Sequence, residues 1–260
     1  MTQMSIFHHF RKEELPFAER ALEMLTQVER TQTMRLTDFL DPRQFSIFQS
    51  LTSQVNGVAV TANGGYKGAE RVRALLHPEY STVEPEDFQL MPVQIKGDQR
   101  FVKLEHRDVM GALLHVGLNR DKFGDILMEE AGCQVILAKE TADFVRMQVT
   151  QIHRIPVVLE EISPDQVVLP SIKQTEKMIT VSSPRIDAVV GEVYHLSRSK
   201  ALVQIRAGKL KINWKVEDDP SAHVQAGDIV SLAGHGRFQV LELTGPTRSG
   251  RIRMQVGIYT

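Results

Sequence analysis

The sequence predicts an α+β chain of more than one domain, and three observations carry that expectation. At 260 residues and 42% apolar composition the chain can bury a substantial core, yet it exceeds the usual size of a single domain. Its apolar periodicity changes along the chain, from helical spacing near the start to the order strand, helix, hairpin, helix, strand in the middle. The final third pairs two short helices with an alternating, lysine-rich strand.

We expect an N-terminal α/β domain over residues 1–82, a ferredoxin-like middle domain over 83–163, a connector over 164–181 and a C-terminal domain over 182–260. In the first, Phe17, Ala21, Leu22, Met24, Leu25 and Val28 fall close to helical spacing, which predicts a helix from Pro16 to Val28. Asp38 or Asp41 caps a second helix, with Pro42 at its start and Phe45, Phe48 and Leu51 along one face. The short apolar run Val58 to Val60 then meets NGGYKGAERVRALLHP, which reads as a turn followed by a helix that stops before Pro78. Gly64, Gly65 and Gly68 with Lys67 lack both the P-loop spacing and G-x-G-x-x-G, so a plain strand-to-helix turn is preferred to a phosphate cradle.

In the middle domain, FQLMPVQI reads as a strand and is followed by a helix from about Arg107 to Val116, with Gly117 at its stop. GDILME and CQVILAK read as two short strands, Thr141 to Ile152 as a helix and IPVVLEEI as a last strand. That order matches the split β-α-β unit shared by RRM domains. An RRM stacks bases on aromatic residues of its central strands, and CQVILAK has none, so we expect the fold without the usual base-stacking surface. Residues 164–183 carry Pro164 and Pro170 in a polar stretch that ends in the apolar run Met178 to Val181, and read as an extended connector.

Composition narrows the function classes. No run of about 18 uncharged apolar residues occurs, and MTQMSIFHHFRKEE lacks the apolar stretch and cleavage site of a secretory signal, so a cytoplasmic protein with no membrane partner is expected. The single cysteine, Cys133, excludes an internal disulfide and a cysteine-rich zinc site; in GCQVIL it reads as a small buried residue. The formal net charge is −1, but residues 181–260 hold 11 Lys and Arg against 7 Asp and Glu, a net of +4. Residues 1–180 hold 20 against 25, a net of −5. Positive charge is thus concentrated where a polyanion would bind.

Motifs for chemistry fail. His106-Arg107-Asp108 matches the start of a protein-kinase catalytic loop, but Leu113 stands where the metal-binding Asn belongs, and no Gly-rich loop or D-F-G accompanies it. The nine histidines make no metal-ligand spacing, and no G-x-S-x-G elbow is present. We therefore expect no catalytic residue, no metal and no cofactor. Asp108 or a neighbour caps the helix DVMGALLHVG. The surrounding HRDVMGALLHVGLNRDKFGDI is more polar than a core helix requires. It reads either as a structural polar network or as a second contact surface for RNA or a ribosomal partner, with Arg107, Asp108 and Arg120 as its candidates.

In the C-terminal domain, Ser183 is expected to cap and Pro184 to open one helix. Ser197 caps a second, which Gly208 ends in a left-handed position. KLKINWKV follows as an alternating strand, with Lys209, Lys211, Asn213 and Lys215 on one face and Leu210, Ile212 and Val216 mostly on the other. Helix starts present free backbone N–H groups, and Arg185 and Arg198 sit at these two starts, so dipole and side chain favour the same anion. The candidate RNA-binding residues are Arg185, Ser197, Arg198, Lys200, Gln204, Arg206, Lys209, Lys211, Asn213 and Lys215. The plain alternative is a solvated helical hairpin with ordinary caps.

The order R-x-D, L-S-R-S-x-A, I-x-x-G-x-[LV]-x-[IV]-N and A-G-D-I-V, the last at Ala226 to Val230, resembles the S4-type RNA-binding domain over about 60 residues. Trp214 departs from that pattern, where a small residue or glycine usually follows the Asn, and reads as core, a base-stacking platform or a local surface contact. The catalytic segments of the pseudouridine synthases, tyrosyl-tRNA synthetases and methyltransferases that carry S4-type domains do not occur. GGYKGAERVRALLHPEY at Gly64 to Tyr80 and HRDVMGALLHVGLNRDKFGDI at His106 to Ile126 instead resemble the YlmH family of bacterial S4-domain proteins. With the C-terminal module, the resemblance covers nearly the whole chain. It implies a non-enzymatic RNA-binding protein that engages rRNA and tRNA on the large ribosomal subunit, in quality control of stalled peptidyl-tRNA, with a family link to cell division. Two other readings stay open: an RNA-modifying enzyme centred near Asp108 and Asp121, and a division-linked adaptor that binds proteins through its acidic first 180 residues.

Overall fold

Helix α1 (Leu15–Thr31) buries Ala18, Ala21, Leu25 and Val28 on one face, as the spacing predicts. The computed structural model describes residues 7, 10–98, 104–129, 132–169, 174–247 and 250–259; Pro170 and the first six residues lie outside this set. Strand β1 (Arg35–Leu40) follows α1, then helix α2 (Pro42–Thr52), strand β2 (Val58–Asn63) and strand β3 (Val72–Pro78). Of the two candidate caps for α2 it is Asp41 that acts, accepting from the Gln44 backbone while the Gln44 side chain accepts from the Asp41 N–H. Asp38 lies inside β1 instead.

The expected helix before Pro78 is strand β3. It is the centre of an antiparallel sheet of order β1-β3-β2, and six of its seven residues are buried. A strand buried on both faces shows a near-continuous apolar run, which periodicity cannot separate from a helix. The helices α1 and α2 cover this sheet, with Phe17 and Phe48 edge to face at 5.7 Å between centroids.

Next come β4 (Leu90–Gly97), α3 (His106–His115), β5 (Phe123–Met128), β6 (Cys133–Ala138), α4 (Lys139–Gln148), β7 (Gln151–Ile152) and β8 (Ile155–Glu161). Their sheet order is β5-β6-β4-β8-β7, antiparallel throughout. Without the short β7 this is the ferredoxin-like arrangement, and Gly117, at φ +87°, stops α3 as expected. One face of β6 packs Cys133, Val135 and Leu137 against Val109 and Leu113 of α3 and Ala142 and Val145 of α4. Burial, with Glu129 nearby, pushes the Cys133 thiol up to about 12, which keeps it protonated and inert.

The opposite face of β6 is the one on which an RRM stacks bases, and here it is closed. Ile136 and Ala138 pack with Phe39 of β1 and against Tyr66, Leu90 and Val167. A Cβ on Gly65 would stand 3.0 Å from Ile136, and one on Gly124 2.7 Å from Phe39. Gln134, 2% exposed, donates to the Gln166 carbonyl and accepts from the Val168 N–H, so the chain after β8 seals the remaining edge. The missing aromatics of CQVILAK therefore have a physical reason: that face is an internal interface.

The chain divides into two compact units, residues 1–170 and 171–260. The second contains β9 (Gln174–Val181), α5 (Ile186–Val193), α6 (Arg198–Arg206), β10 (Leu210–Ile212), β11 (Lys215–Val216), β12 (Ile229–Leu232), β13 (Gly236–Pro246) and β14 (Ile252–Tyr259). Its sheet has the order β11-β10-β12-β13-β14-β9. The expected connector is thus corrected over Gln174–Val181, which pairs with β14 along its whole length. Ile179 and Val181 are buried and Met178 is exposed, a period of two that the run read as one apolar block conceals.

Candidate nucleic-acid interface

Helices α5 and α6 are joined at Asp187. This residue is 1% exposed, yet its carboxylate accepts from Arg185 Nε and Nη2 at 3.1 and 3.0 Å and from Arg198 Nε and Nη2 at 3.3 and 3.2 Å. Two arginines thirteen residues apart in sequence are thereby held in one fork. Burial raises the Asp187 pKa, but hydrogen bonds and charge from Arg185 and Arg198 outweigh it, leaving the carboxyl below its ordinary value. The arginine side chains remain 35% and 71% exposed, so each can turn donors outward. Beside them lies an open cleft of about 230 Å³, lined also by Ser182, Ser183 and Glu192.

The two helix starts differ from the expectation. Arg185, not Ser183, is the residue before α5, with no side-chain cap. The Ile186 and Asp187 N–H groups donate to the carbonyls of Ala222 and Pro220, so the first turn of α5 does not offer them to an anion. Ser197 does cap α6, accepting from the Lys200 N–H at 3.4 Å. Lys200, Arg206 and Lys209 are exposed and Gln204 partly so, and Gly208 takes φ +67° after α6 as expected.

The lysine-faced strand is corrected to a hairpin. Asn213 and Trp214 occupy its turn at φ +49° and +63°, between β10 and β11, a conformation in which both turn residues are left-handed. Lys211 registers with Val216 and Ile212 with Lys215, so the reversal puts Lys211 and Lys215 on opposite faces. Asn213 is a pin within the fold: its Nδ2 donates to Asp228 at 2.8 Å and its Oδ1 accepts from the Ile229 N–H at 2.9 Å. The N and the G-D-I-V of the sequence pattern are thus the two halves of one contact.

In the first unit, Arg107, Asp108 and Arg120 each have a partner within the chain. Arg107 is exposed and pairs with Glu105. Asp108 accepts from the Glu105 N–H at the start of α3. Arg120 turns inward, donating from Nη1 to the carbonyls of Phe123 and Gly124 and lying over the Phe123 ring at 4.4 Å. Burial, with the charge of Arg71, lowers its pKa to about 10. What the two distinctive segments do share is Asp125, which accepts from the Tyr66 hydroxyl at 2.7 Å and from the Glu70 and Arg71 N–H groups. Arg71 in turn donates to the carbonyls of Phe39 and Arg120. Burial, then the Asp125 hydrogen bond, raises the Tyr66 pKa well above its ordinary value. Of the two sequence readings for this segment, these contacts describe a polar network.

Sequence reasoning did not single out Asp187 or Asp228 as site residues. Each was visible only as part of a motif, since an isolated acid in IDAVV or GDIV does not reveal that it is buried. Arg237, which lies over both Trp214 and Tyr259, had no signal at all.

A helix pair bonded through a buried acid, with a glycine ending its second helix and an Asn-pinned hairpin after it, defines an S4-domain RNA-binding protein. The S4 domain profile matches residues 185–230, that of "YlmH, N-terminal" residues 13–81, and that of "Putative RNA-binding domain in YlmH" residues 84–166. Ribosome-associated protein quality control protein P2 of Bacillus subtilis is 41% identical over 249 residues, covering 96% of each chain. The solved structure of cell division protein ylmH from Streptococcus pneumoniae superposes with a TM-score of 0.55 at 28% identity, covering 62% of this chain and 98% of that one. The chain belongs to the YlmH family of S4-domain proteins.

Proposed function

We propose that the protein binds rRNA and tRNA on the large ribosomal subunit in the cytoplasm, and acts there in the rescue or quality control of stalled peptidyl-tRNA, as a binder and not as a catalyst. The observation that carries this reading is the Asp187 fork, which fixes Arg185 and Arg198 side by side while leaving both side chains accessible. A guanidinium pair held in register suits two neighbouring phosphates, because Arg presents planar, bidentate donors. The exposed Lys200, Arg206 and Lys209 extend the same positive charge. The name of the Bacillus subtilis relative, a ribosome-associated quality control protein, supports the setting.

The test is the salt dependence of binding to purified large ribosomal subunits. If about four phosphates are neutralised, log affinity falls against log salt with a slope of roughly −3. A slope near zero would overturn the phosphate-contact reading.

A further inference from the structure

We propose that Trp214, Arg237 and Tyr259 form a stacking platform for unpaired nucleobases of RNA on the open face of the second unit's sheet, with Lys211 beside it to meet the backbone. The proposal rests on the RNA-binding reading above and assigns a second surface, separate from Arg185 and Arg198.

Register places these residues together. Lys211 pairs with Ser231 and Ser231 with Arg237; Arg237 stands one position before Phe238, whose partner Ile258 precedes Tyr259. The neighbouring positions Leu210, Leu232 and Phe238 are fully or almost fully buried in the core beneath α5 and α6. Alternation therefore sets the row Lys211, Ser231, Arg237, Tyr259 on the opposite face. Over this row lies Trp214. The Arg237 guanidinium carbon is 5.3 Å from the Trp214 ring centroid and 5.8 Å from that of Tyr259, so one cation lies over two aromatic rings, all three side chains partly exposed.

The turn itself argues that the indole has a task. Trp214 adopts φ +63°, a left-handed conformation that glycine takes freely and a bulky side chain takes at a cost. A large ring kept at that position, partly exposed and stacked on a cation, is a surface for another flat ring. Nucleobases stack on aromatic residues and on guanidinium planes, whereas the bases of a duplex have their faces occupied by each other. The choice of RNA over an apolar protein partner follows from charge, because Arg237 and Lys211 line the row. β13 and β14, which supply Arg237 and Tyr259, lie beyond the residues that match the S4 profile, so the platform belongs to this chain's extension of that domain.

Trp214 is the only tryptophan in the chain, so its fluorescence reads the proposed contact directly. The full chain is titrated with a single-stranded RNA decamer and with a duplex of the same sequence, following indole emission with unlabelled RNA and anisotropy with a fluorescein-labelled copy. The expected result is quenching by the single strand that follows the anisotropy curve, with little quenching by the duplex. W214G, which suits the turn, weakens single-strand binding about tenfold, and W214F largely retains it. Binding by anisotropy with unchanged indole emission overturns the platform and leaves the RNA-binding reading standing. Equal quenching by the duplex overturns the assignment to unpaired bases; no binding of either RNA while the chain still binds purified large ribosomal subunits overturns the platform alone, and loss of both bindings overturns the RNA-binding reading as well.

Discussion

If the ferredoxin-like sheet face is an internal interface, a methyl group placed on Gly65 must be felt by Ile136. The neighbouring Gly68 provides the control, because the two glycines have almost the same backbone conformation, φ +92° and +88°. G65A and G68A therefore share the cost of a side chain in a left-handed conformation, about 1–2 kcal/mol. They differ in surroundings: a Cβ on Gly68 meets nothing within 4 Å, whereas one on Gly65 meets three Ile136 side-chain atoms at 3.0–3.3 Å. Overpacking of a filled interface adds about 1–3 kcal/mol, so G65A is expected to cost about 2–5 kcal/mol and G68A about 1–2. Native-state hydrogen exchange of the β6 amides is the suitable assay, since it reads the local opening energy of the strand that carries Ile136. I136A relieves the contact while opening a cavity, so the pair G65A and I136A should cost less than the sum of the two single changes. Equal effects of G65A and G68A on β6, or strict additivity with I136A, would refute the covered face.

Further expectations concern the second unit. N213A removes both the bond to Asp228 and the acceptor of the Ile229 N–H, and should destabilise that unit by about 1–3 kcal/mol, seen as a lower thermal midpoint for its signals. Asp187 has a folded pKa below its unfolded one, so its contribution is fully present above about pH 4 and is lost as pH falls through the folded value. D187N should accordingly lower stability at neutral pH and flatten the acid limb of the melting profile; an acid limb identical to that of the parent would show that the fork contributes nothing to folding.

Much of the fold was legible where a local rule has one physical solution. The amphipathic α1, the Asp41 and Ser197 caps and the glycine stops at Gly117 and Gly208 each follow from neighbours within a turn. The order strand, helix, hairpin, helix, strand was enough to give the ferredoxin-like sheet. β3 reads as a helix in the sequence because burial on both faces erases the period of two that marks a strand. β9 reads as a connector in the sequence because its partner β14 lies 71 to 85 residues further on, and long-range pairing leaves no local mark.

The candidate site shows the same division. Arg185 and Arg198 could be picked from their places at helix starts, but the acid that joins them could not, because burial of Asp187 is a property of the packed domain. Asn213 reads in the sequence as a contact residue but is bonded within the fold, since the turn between β10 and β11 reverses the alternation that puts it with the lysines. The polar segment around Arg120 and Asp125 was recognised as unusual; its partners Tyr66 and Arg71 lie some fifty residues earlier, out of reach of any spacing argument.

Co-sedimentation of the full chain with purified large ribosomal subunits, comparing the parent with R198E, tests the central claim most directly. R198E replaces an exposed guanidinium of the Asp187 fork by a carboxylate that faces Asp187 and the phosphates alike. The account predicts that R198E loses co-sedimentation while circular dichroism shows the fold intact. Co-sedimentation of R198E at the parent level would contradict it.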